Sequence, residues 1–250
     1  MSGQSPELSV AGAVATITLR RPAQANRLEP DDLGTLIAQV QQVDADPAVH
    51  VLCLRAGGRT FCSGFDIGRI GAARTASFED MVNAVEDCRV PTVAVLQGGV
   101  YGGATDLALA CDFRLGTPAV EMFMPAARLG LHFYRRGLER YVSRLGLDTA
   151  KRLFLTAERI GADEMRAVGF LTRLLPADEL DAAADALAAT LASLAPLAVQ
   201  GMKRHLNAIA RGELDAQALQ RDITRAVQSQ DLQEGRAAWA AKREPQFKGE

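Results

Sequence analysis

The chain has 250 residues, of which 48% are hydrophobic and 23% charged, and its formal net charge at pH 7 is −2. This composition suits one large α/β domain with a buried core, and the small net charge excludes strong electrostatic attraction to nucleic acid or an anionic membrane. The four cysteines form no C-x-x-C pair and no metal-like spacing with the three histidines, so we expect buried, reduced thiols and no metal. The N-terminus lacks a signal-peptide pattern and no apolar run approaches ~18 residues, so we expect a cytoplasmic protein without a membrane span.

The first part of the chain alternates predicted strands and helices. β-Branched residues on both sides of Gly12 predict a hairpin over residues 8–19. Apolar residues at helical spacing predict a helix from about Asp31, whose side chain is placed to cap its start. The continuous apolar run at 49–56 predicts a buried strand, and the glycines of residues 57–68 predict a loop.

The same alternation continues along the middle of the chain. A second amphipathic helix around Met81 precedes predicted strands at 92–98 and 113–117. Strands that alternate with helices indicate a parallel sheet with crossover helices, and therefore an α/β fold.

Beyond about residue 145 the pattern predicts almost only helices. An alanine-rich segment with a leucine stripe predicts a helix that ends before Pro196, and two more helical segments follow. We therefore predict two regions: an α/β core that holds the functional site at residues 1–190, and a helical C-terminal region at residues 191–250.

The most informative stretch is "GGVYGGATDLALACD", residues 98–112, which places four glycines within six positions in front of Asp106. The spacing fits neither a P-loop nor a dinucleotide fingerprint, so a phosphate cradle is not supported. What remains is a helix N-terminus with uncovered backbone N–H groups, which can donate to a negatively charged oxygen. Close helix packing, with an acid favoured by the helix dipole, explains this stretch equally well.

Five segments in one order resemble the crotonase superfamily, which is the enoyl-CoA hydratase/isomerase family. They are "FCSGFDI" (61–67), "QGGVYGGATDLALACD" (97–112), "MPAARLGL" (124–131), "RLFLTAERIGADEMRAVGFLTRLLP" (152–176) and "SQDLQEGRAAWAAKREPQFKG" (229–249). The resemblance covers nearly the whole chain. It implies an α/β fold of repeated ββα units with a helical C-terminal trimerisation region, acyl-CoA thioester substrates, and a homotrimer or a dimer of trimers. It implies no cofactor, because coenzyme A is part of the substrate.

The resemblance also implies roles for individual residues. The backbone amides of Ser63 and Gly103 correspond to the oxyanion hole that stabilises a thioester enolate. Asp106 falls at the position of the first catalytic glutamate, and Ala126 replaces the second. Since general acid–base help contributes about 10²–10⁴-fold per group, we expect ordinary hydratase activity to be impaired.

Two alternatives stay open at this point. The first is an enzyme of another crotonase chemistry, such as isomerisation or decarboxylation, that uses Tyr134, because Tyr134 falls where some isomerases and a dehalogenase of the family carry an active aspartate. The second is a non-catalytic acyl-CoA-binding protein. Tyr134 is also explained as a residue that only lines the acyl pocket. His132, Arg135, Arg136 and Glu121 are weaker candidates, for which a structural role is the preferred interpretation.

The resemblance places coenzyme A and acyl contacts in three parts of the chain. These contacts are Ala23, Ala25, Phe65, Asp66, Ile67, Gly102, Pro125, Ala126, Leu131, Trp239 and Lys242. Trp239 and Lys242 correspond to residues that often reach a neighbour's site, although Trp239 is also explained as an anchor for the last helix.

Overall fold

The computed structural model describes residues 4–66, 68 and 76–250. Its strands are β1 (Gln4–Ala11), β2 (Val14–Arg20), β3 (Val51–Ala56), β4 (Thr92–Leu96), β5 (Val100–Tyr101), β6 (Phe113–Gly116), β7 (Glu121–Phe123), β8 (Ile160–Gly161) and β9 (Arg173–Leu174). Its α-helices are α1 (Pro30–Ala45), α2 (Phe78–Asp87), α3 (Gly103–Ala110), α4 (Arg135–Leu145), α5 (Leu147–Thr156), α6 (Ala162–Ala167), α7 (Leu180–Ala192), α8 (Pro196–Ala210), α9 (Ala216–Gln228) and α10 (Gln230–Ala241).

The main sheet has six strands in the order β1-β2-β3-β4-β6-β9. β1 and β2 form the predicted antiparallel hairpin, and the pairs from β2 to β9 are all parallel. All five residues of β4 are buried, as expected for a central strand covered on both faces. The predicted parallel sheet is therefore confirmed.

The two faces of the sheet are covered by different helices. Leu52 and Leu54 of β3 belong to the core cluster that includes α1 and α2, whereas Val51 and Cys53 belong to the cluster with α7. This alternation follows from the period of two in a strand. Leu191 still packs in the α7 cluster, so the packed core extends past the predicted boundary at residue 190 to the end of that helix.

The four cysteines are buried and unpaired, as predicted. Burial raises the pKa of three of these thiols, Cys62, Cys88 and Cys111, to about 12. A thiol with so high a pKa is a poor nucleophile at neutral pH. The cysteines therefore serve packing.

The first helix begins earlier than its sequence indicates. Pro30 is its first residue, Glu29 is the N-cap, and the side chain of Asp32 accepts a hydrogen bond from the Glu29 amide at 2.8 Å. Asp31 therefore lies inside the first turn, and the prediction that it caps the helix is wrong. An acid in this turn is still favoured by the helix dipole.

A second, three-stranded sheet has the order β5-β7-β8. β8 and β9 fall in the region predicted to be almost wholly helical, and each has two residues. Strands this short carry too few residues to show a period. The small sheet brings β7, and the residues after it, next to the start of α3.

The C-terminal helices pack against the core through polar contacts as well as apolar ones. Lys203 of α8 lies 2.8 Å from a carboxylate oxygen of Asp112 and donates to the carbonyl oxygen of Val90 at 2.7 Å. Among the described residues, no single helix has both the length and the apolar composition to cross a membrane; only α7 and α8 taken together do so, with a 106° bend between them.

Candidate active site

The two glycine-containing motifs meet at the start of α3. A Cβ atom placed on Gly64 would lie 3.1 Å from the amide nitrogen of Gly103 and 2.8 Å from the carbonyl oxygen of Tyr101. Gly64 also has a φ of +89°, which side chains rarely adopt. The loop of residues 61–66 therefore approaches the α3 N-terminus as closely as a backbone can.

The Ser63 amide does not face this contact. It donates to the carbonyl oxygen of Ala25 at 2.9 Å, which fixes the loop to the segment after β2. This bond contradicts the prediction that the Ser63 amide is an oxyanion donor. The Gly103 amide is the first N–H of α3 and has no acceptor within the described part of the chain, so its role as an oxyanion donor stays a prediction.

The glycines of residues 98–103 allow close packing of the backbone against other parts of the chain. A Cβ on Gly103 would lie 2.5 Å from the ring of Phe78, and one on Gly98 would lie 1.8 Å from the carbonyl oxygen of Arg59. A Cβ on Gly102 would make only ordinary contacts with the ring of Pro125, but Gly102 has a φ of +56°, which other residues rarely adopt.

Asp106 lies one turn into α3 and is fully buried. Nη1 of Arg140 donates to both of its carboxylate oxygens, at 2.8 and 2.7 Å, and the hydroxyl of Tyr134 donates to Oδ2. Burial raises the pKa of Asp106, while Arg140 and then Tyr134 oppose that rise. Three hydrogen bonds directed at the carboxylate favour its ionised form.

Arg140 joins Asp106 to a second buried acid. Its Nε donates to Glu86 at 2.9 Å and its Nη2 to Asn83 at 3.0 Å, and its side chain is fully buried. Burial favours a higher pKa for Glu86, but hydrogen bonds and charges from Arg140 and Arg136 outweigh it and lower the pKa to about 2. Arg211, which follows α8, also reaches Glu86 at 3.3 Å. Asp106 is thus linked through Arg140 to Glu86, in one network of paired charges.

The position of the second predicted acid is close by. Pro125 lies beside Gly102, because a Cβ on that glycine would be 3.8 Å from the proline ring, and the Gly102 amide donates to the carbonyl oxygen of Phe123 at 3.0 Å. Ala126 is 7% exposed and begins a short 3-10 helix. Its methyl group has no acid–base chemistry, as the sequence indicated.

Tyr134 stands at the N-cap of α4 in an aromatic cluster. Its ring stacks on Phe133 at 4.5 Å between centroids, and Phe133 also contacts Tyr141 and Phe154. Burial and then the charge of Asp106 raise the pKa of Tyr134 above its ordinary value. The Tyr134 hydroxyl is therefore a weaker acid than an ordinary tyrosine.

The predicted coenzyme A contacts fall into two groups. Ala23 and Ala25 lie in and after a short 3-10 helix, and Phe65 and Asp66 in the adjoining loop, where Leu28 bridges to Phe65. Leu131 is 36% exposed and follows the 3-10 helix of Ala126. Ile67 lies outside the described residues.

Trp239 and Lys242 form the second group, at the end of α10. Trp239 is 88% exposed, so it does not anchor the last helix. Lys242 is exposed as well and has a φ of +52°. Their contact with coenzyme A, in their own chain or a neighbour's, stays a prediction.

The weaker candidates have structural partners. Nδ1 of His132 contacts the carbonyl oxygen of Phe133, and His132 is exposed. Arg136 pairs with Glu86 and Asp87, and Arg135 with Glu139. Glu121 accepts from the hydroxyl of Tyr101 at 2.7 Å and pairs with Arg159, so it is engaged away from Ala126.

Three residues that position the site were missed by sequence reasoning. Asn26 donates to the carbonyl oxygens of Gly57 and Thr60, both at 2.8 Å, and so ties two loops together. Its φ is +52°, a value that asparagine tolerates better than most residues. An asparagine in this loop was therefore a signal that the sequence offered. Arg140 and Glu86 gave none, because each occupies an ordinary place on an amphipathic helix. Among the described residues, no group of three His, Cys, Asp or Glu side chains has the geometry to hold a metal.

Comparison with known proteins settles the class. The profile of the enoyl-CoA hydratase/isomerase family matches residues 9–250. The chain belongs to the enoyl-CoA hydratase/isomerase family. Two curated relatives illustrate the similarity. The chain is 30% identical to the probable enoyl-CoA hydratase echA6 of Mycobacterium leprae, covering 97% of this chain and 98% of that protein. It is 28% identical to the crotonyl-CoA hydratase of Syntrophomonas wolfei, covering 94% of each.

Solved structures confirm the crotonase fold. An enoyl-CoA hydratase/carnithine racemase from Magnetospirillum magneticum superposes with a TM-score of 0.91 and 28% identity, covering 99% of this chain and 96% of that one. An enoyl-CoA hydratase from Bacillus anthracis superposes with a TM-score of 0.87 and 28% identity, covering 99% and 100%. The chain is therefore an acyl-CoA-processing enzyme of this family, with the α/β fold that its motifs implied.

Proposed function

We propose that the chain binds an acyl-CoA thioester with its carbonyl oxygen at the α3 N-terminus, stabilises the enolate there, and hydrates enoyl-CoA poorly. One observation carries the proposal. Both oxygens of Asp106 are occupied by Arg140 and Tyr134, and Ala126 stands where a second acid is needed. Neither position supplies a carboxylate that is free to hold and activate water.

The Gly103 amide is the first donor for the thioester oxygen in this proposal. It lies at the positive end of α3, where negative charge that develops on the oxygen is stabilised. In the facing loop, Leu28 bonds to the residues on either side of Phe65, which turns the Phe65 amide away from Leu28.

Acetoacetyl-CoA tests this function, because its enolate suits an oxyanion site. Calorimetry is expected to show binding by the folded protein, together with slow turnover of crotonyl-CoA. NAD and ATP are the control ligands, since the chain lacks their fingerprints. No heat from acetoacetyl-CoA at high micromolar concentration would contradict the proposal.

Two finer readings follow from the same site. The first is another crotonase chemistry, isomerisation or decarboxylation, that uses Tyr134; its hydrogen bond to Asp106 favours this reading. The second is acyl-CoA binding without turnover, which the burial of Asp106 favours. A panel of acyl-CoA thioesters separates them, because a binding protein retains ligand and releases no product.

We also propose a cytoplasmic homotrimer or dimer of trimers, built through the C-terminal helices, with no cofactor beyond the coenzyme A of the substrate. The support is a set of large apolar side chains on these helices that are more than half exposed: Met202, Leu206, Ile209, Val227 and Trp239. Burial of such side chains against a second copy removes apolar surface from water.

A further inference from the structure

We propose that Tyr134 and Asp106 work as a single proton relay at the acyl site, and that Arg140 positions it. The inference rests on the proposed function, because it requires a thioester bound at the α3 N-terminus. It joins two residues that the sequence presents as alternatives.

Burial decides the order of the relay. The carboxylate of Asp106 is fully buried and its oxygens already accept from Arg140 and Tyr134, so it offers no surface to a ligand. Tyr134 keeps part of its surface exposed. A proton that moves between a ligand and Asp106 therefore has to pass through the Tyr134 hydroxyl. The Tyr134 hydroxyl also compensates for the shorter side chain of Asp106, which has one methylene fewer than the glutamate that the resemblance places there.

The direction of the hydrogen bond fixes what Tyr134 presents. Tyrosine has one hydroxyl proton, and here that proton is donated to Asp106 Oδ2. Oη of Tyr134 therefore keeps its lone pairs and, in this proposal, acts as an acceptor toward the ligand. The matching donor is the acidic C–H next to the thioester carbonyl.

The step balances without another reactant. The C–H bond breaks and its proton passes to Tyr134 Oη, while the Tyr134 hydroxyl proton passes to Asp106 Oδ2. The electron pair of the C–H bond moves onto the thioester oxygen at the Gly103 amide, which forms the enolate. Return of the two protons regenerates the thioester, so the relay exchanges the hydrogen with solvent or moves it between carbons.

Arg140 is a positioning residue because it contacts the acid and not the ligand. Its Nη1 donates to both Asp106 oxygens, at 2.8 and 2.7 Å, and its other nitrogens donate to Glu86 and Asn83. These hydrogen bonds favour the ionised form of Asp106, which is the form that receives a proton. Burial raises the pKa of Asp106, which makes it a stronger base than an exposed aspartate.

Exchange of the C2 hydrogens of butyryl-CoA in D2O, followed by mass spectrometry, tests the relay. The natural protein is expected to catalyse exchange. Tyr134→Phe and Asp106→Asn are each expected to slow it by at least about 10²-fold, and the double variant no further, because the pair acts as a unit. Acetoacetyl-CoA affinity is expected to persist in all three.

Two further variants serve as controls. Tyr101→Phe removes a hydroxyl that bonds to Glu121 outside the relay, and exchange is expected to continue at the natural rate. Arg140→Lys keeps the charge but loses the planar guanidinium that donates to Asp106, Glu86 and Asn83 together. The Asp106 pKa is therefore expected to rise, and the pH at which exchange reaches half its maximum is expected to move upward. A purely structural Arg140 would lower stability and leave that pH unchanged, which would remove its positioning role.

Three other outcomes would refute the relay, and one of them would also refute the proposed function. Binding of acetoacetyl-CoA without any exchange by the natural protein would refute the relay while leaving the proposed function intact. Exchange that survives Asp106→Asn but not Tyr134→Phe would show that Tyr134 acts alone, which also refutes it. Absence of acetoacetyl-CoA binding would refute the proposed function and the relay with it.

Discussion

Ala126 offers only a methyl group at the position where the resemblance places a second acid, and Asp106 is turned toward Arg140. Activation of water needs a group within hydrogen-bond reach of it. We therefore attribute the expected loss of hydratase activity to two side chains, Ala126 and Asp106, and both can be changed by mutation.

Restoring the two acids tests that account. Asp106→Glu combined with Ala126→Glu is expected to raise crotonyl-CoA hydration over the natural protein, by about 10²-fold or more for each acid that reaches the water. Asp106→Glu alone is expected to give little, because Arg140 captures the longer acid as well. Spectrophotometric loss of the enoyl thioester measures the rate. Efficient hydration by the natural protein would contradict the role given to Ala126.

Glu86 controls the acid stability of the same network. Its pKa is about 2 in the folded chain against an ordinary value of 4.5. A lowered pKa stabilises the fold above about pH 4.5, and this stability is lost as the pH falls toward 2. The shift corresponds to at most roughly 3 kcal/mol at neutral pH.

Glu86→Gln removes that dependence. Urea unfolding is expected to show the natural protein more stable than the variant at pH 7, with the difference shrinking between pH 4.5 and 2. Glu244→Gln, which changes an exposed acid of the C-terminal tail, is the control and is expected to leave the profile unchanged. A Glu86→Gln difference that is constant with pH would contradict the pairing.

At the scale of elements, the site depends on how closely the loop of residues 61–66 approaches α3. Gly64 and Gly12 both have positive φ values, +89° and +59°, but a Cβ at Gly12 meets nothing within 4 Å. Substitutions at the two glycines therefore separate two losses of stability: the one due to a left-handed backbone, and the one due to the contact of a Cβ at Gly64 with Tyr101 and Gly103.

Gly12→Ala is expected to cost about 1–2 kcal/mol of stability, which is the penalty for a left-handed residue. Gly64→Ala is expected to cost more and to weaken acetoacetyl-CoA binding, since its Cβ pushes against Tyr101 and Gly103. Thermal unfolding and calorimetry on both variants measure the difference. Equal stability and full affinity in the two variants would show that the loop contact is unimportant.

The elements also show what a sequence can reveal. β3 and β4 were predictable from continuous apolar runs, and α2 from apolar residues at helical spacing, whereas β8 and β9 are too short to show either pattern. The family motifs predicted roles for Asp106 and Gly103. They could not reveal that the Ser63 amide bonds to Ala25, or that Arg140 reaches Asp106, because both contacts join distant parts of the chain through its fold.

At the scale of the whole molecule, α10 and the residues after it form an appendage. Ser229 caps α10 by accepting from the Leu232 amide at 3.1 Å, and the Gln230 amide donates to the carbonyl oxygen of Glu250. Deletion of residues 229–250 is expected to weaken both assembly and acyl-CoA affinity. Light scattering and calorimetry measure the two effects. A monomer that keeps full affinity would contradict a shared site.

Trp239→Ala refines this prediction. Because Trp239 is 88% exposed in the single chain, its removal is expected to change stability by no more than about 0.5 kcal/mol. Acyl-CoA affinity is expected to fall if the residue reaches a neighbour's site. Leu155→Ala, at a large apolar side chain that is 74% exposed on α5, is the control and is expected to alter neither property. Unchanged affinity in Trp239→Ala would remove Trp239 from the site.

Trp239 is also the sole tryptophan of the chain. Its indole is surrounded mainly by water in the single chain, so its fluorescence is expected at long wavelength there and at shorter wavelength once a neighbouring subunit covers it. One intrinsic signal, without any label, therefore reports dilution, assembly and occupation of the neighbouring acyl-CoA site in the same cuvette. Quenching by iodide would distinguish the covered indole from the open one.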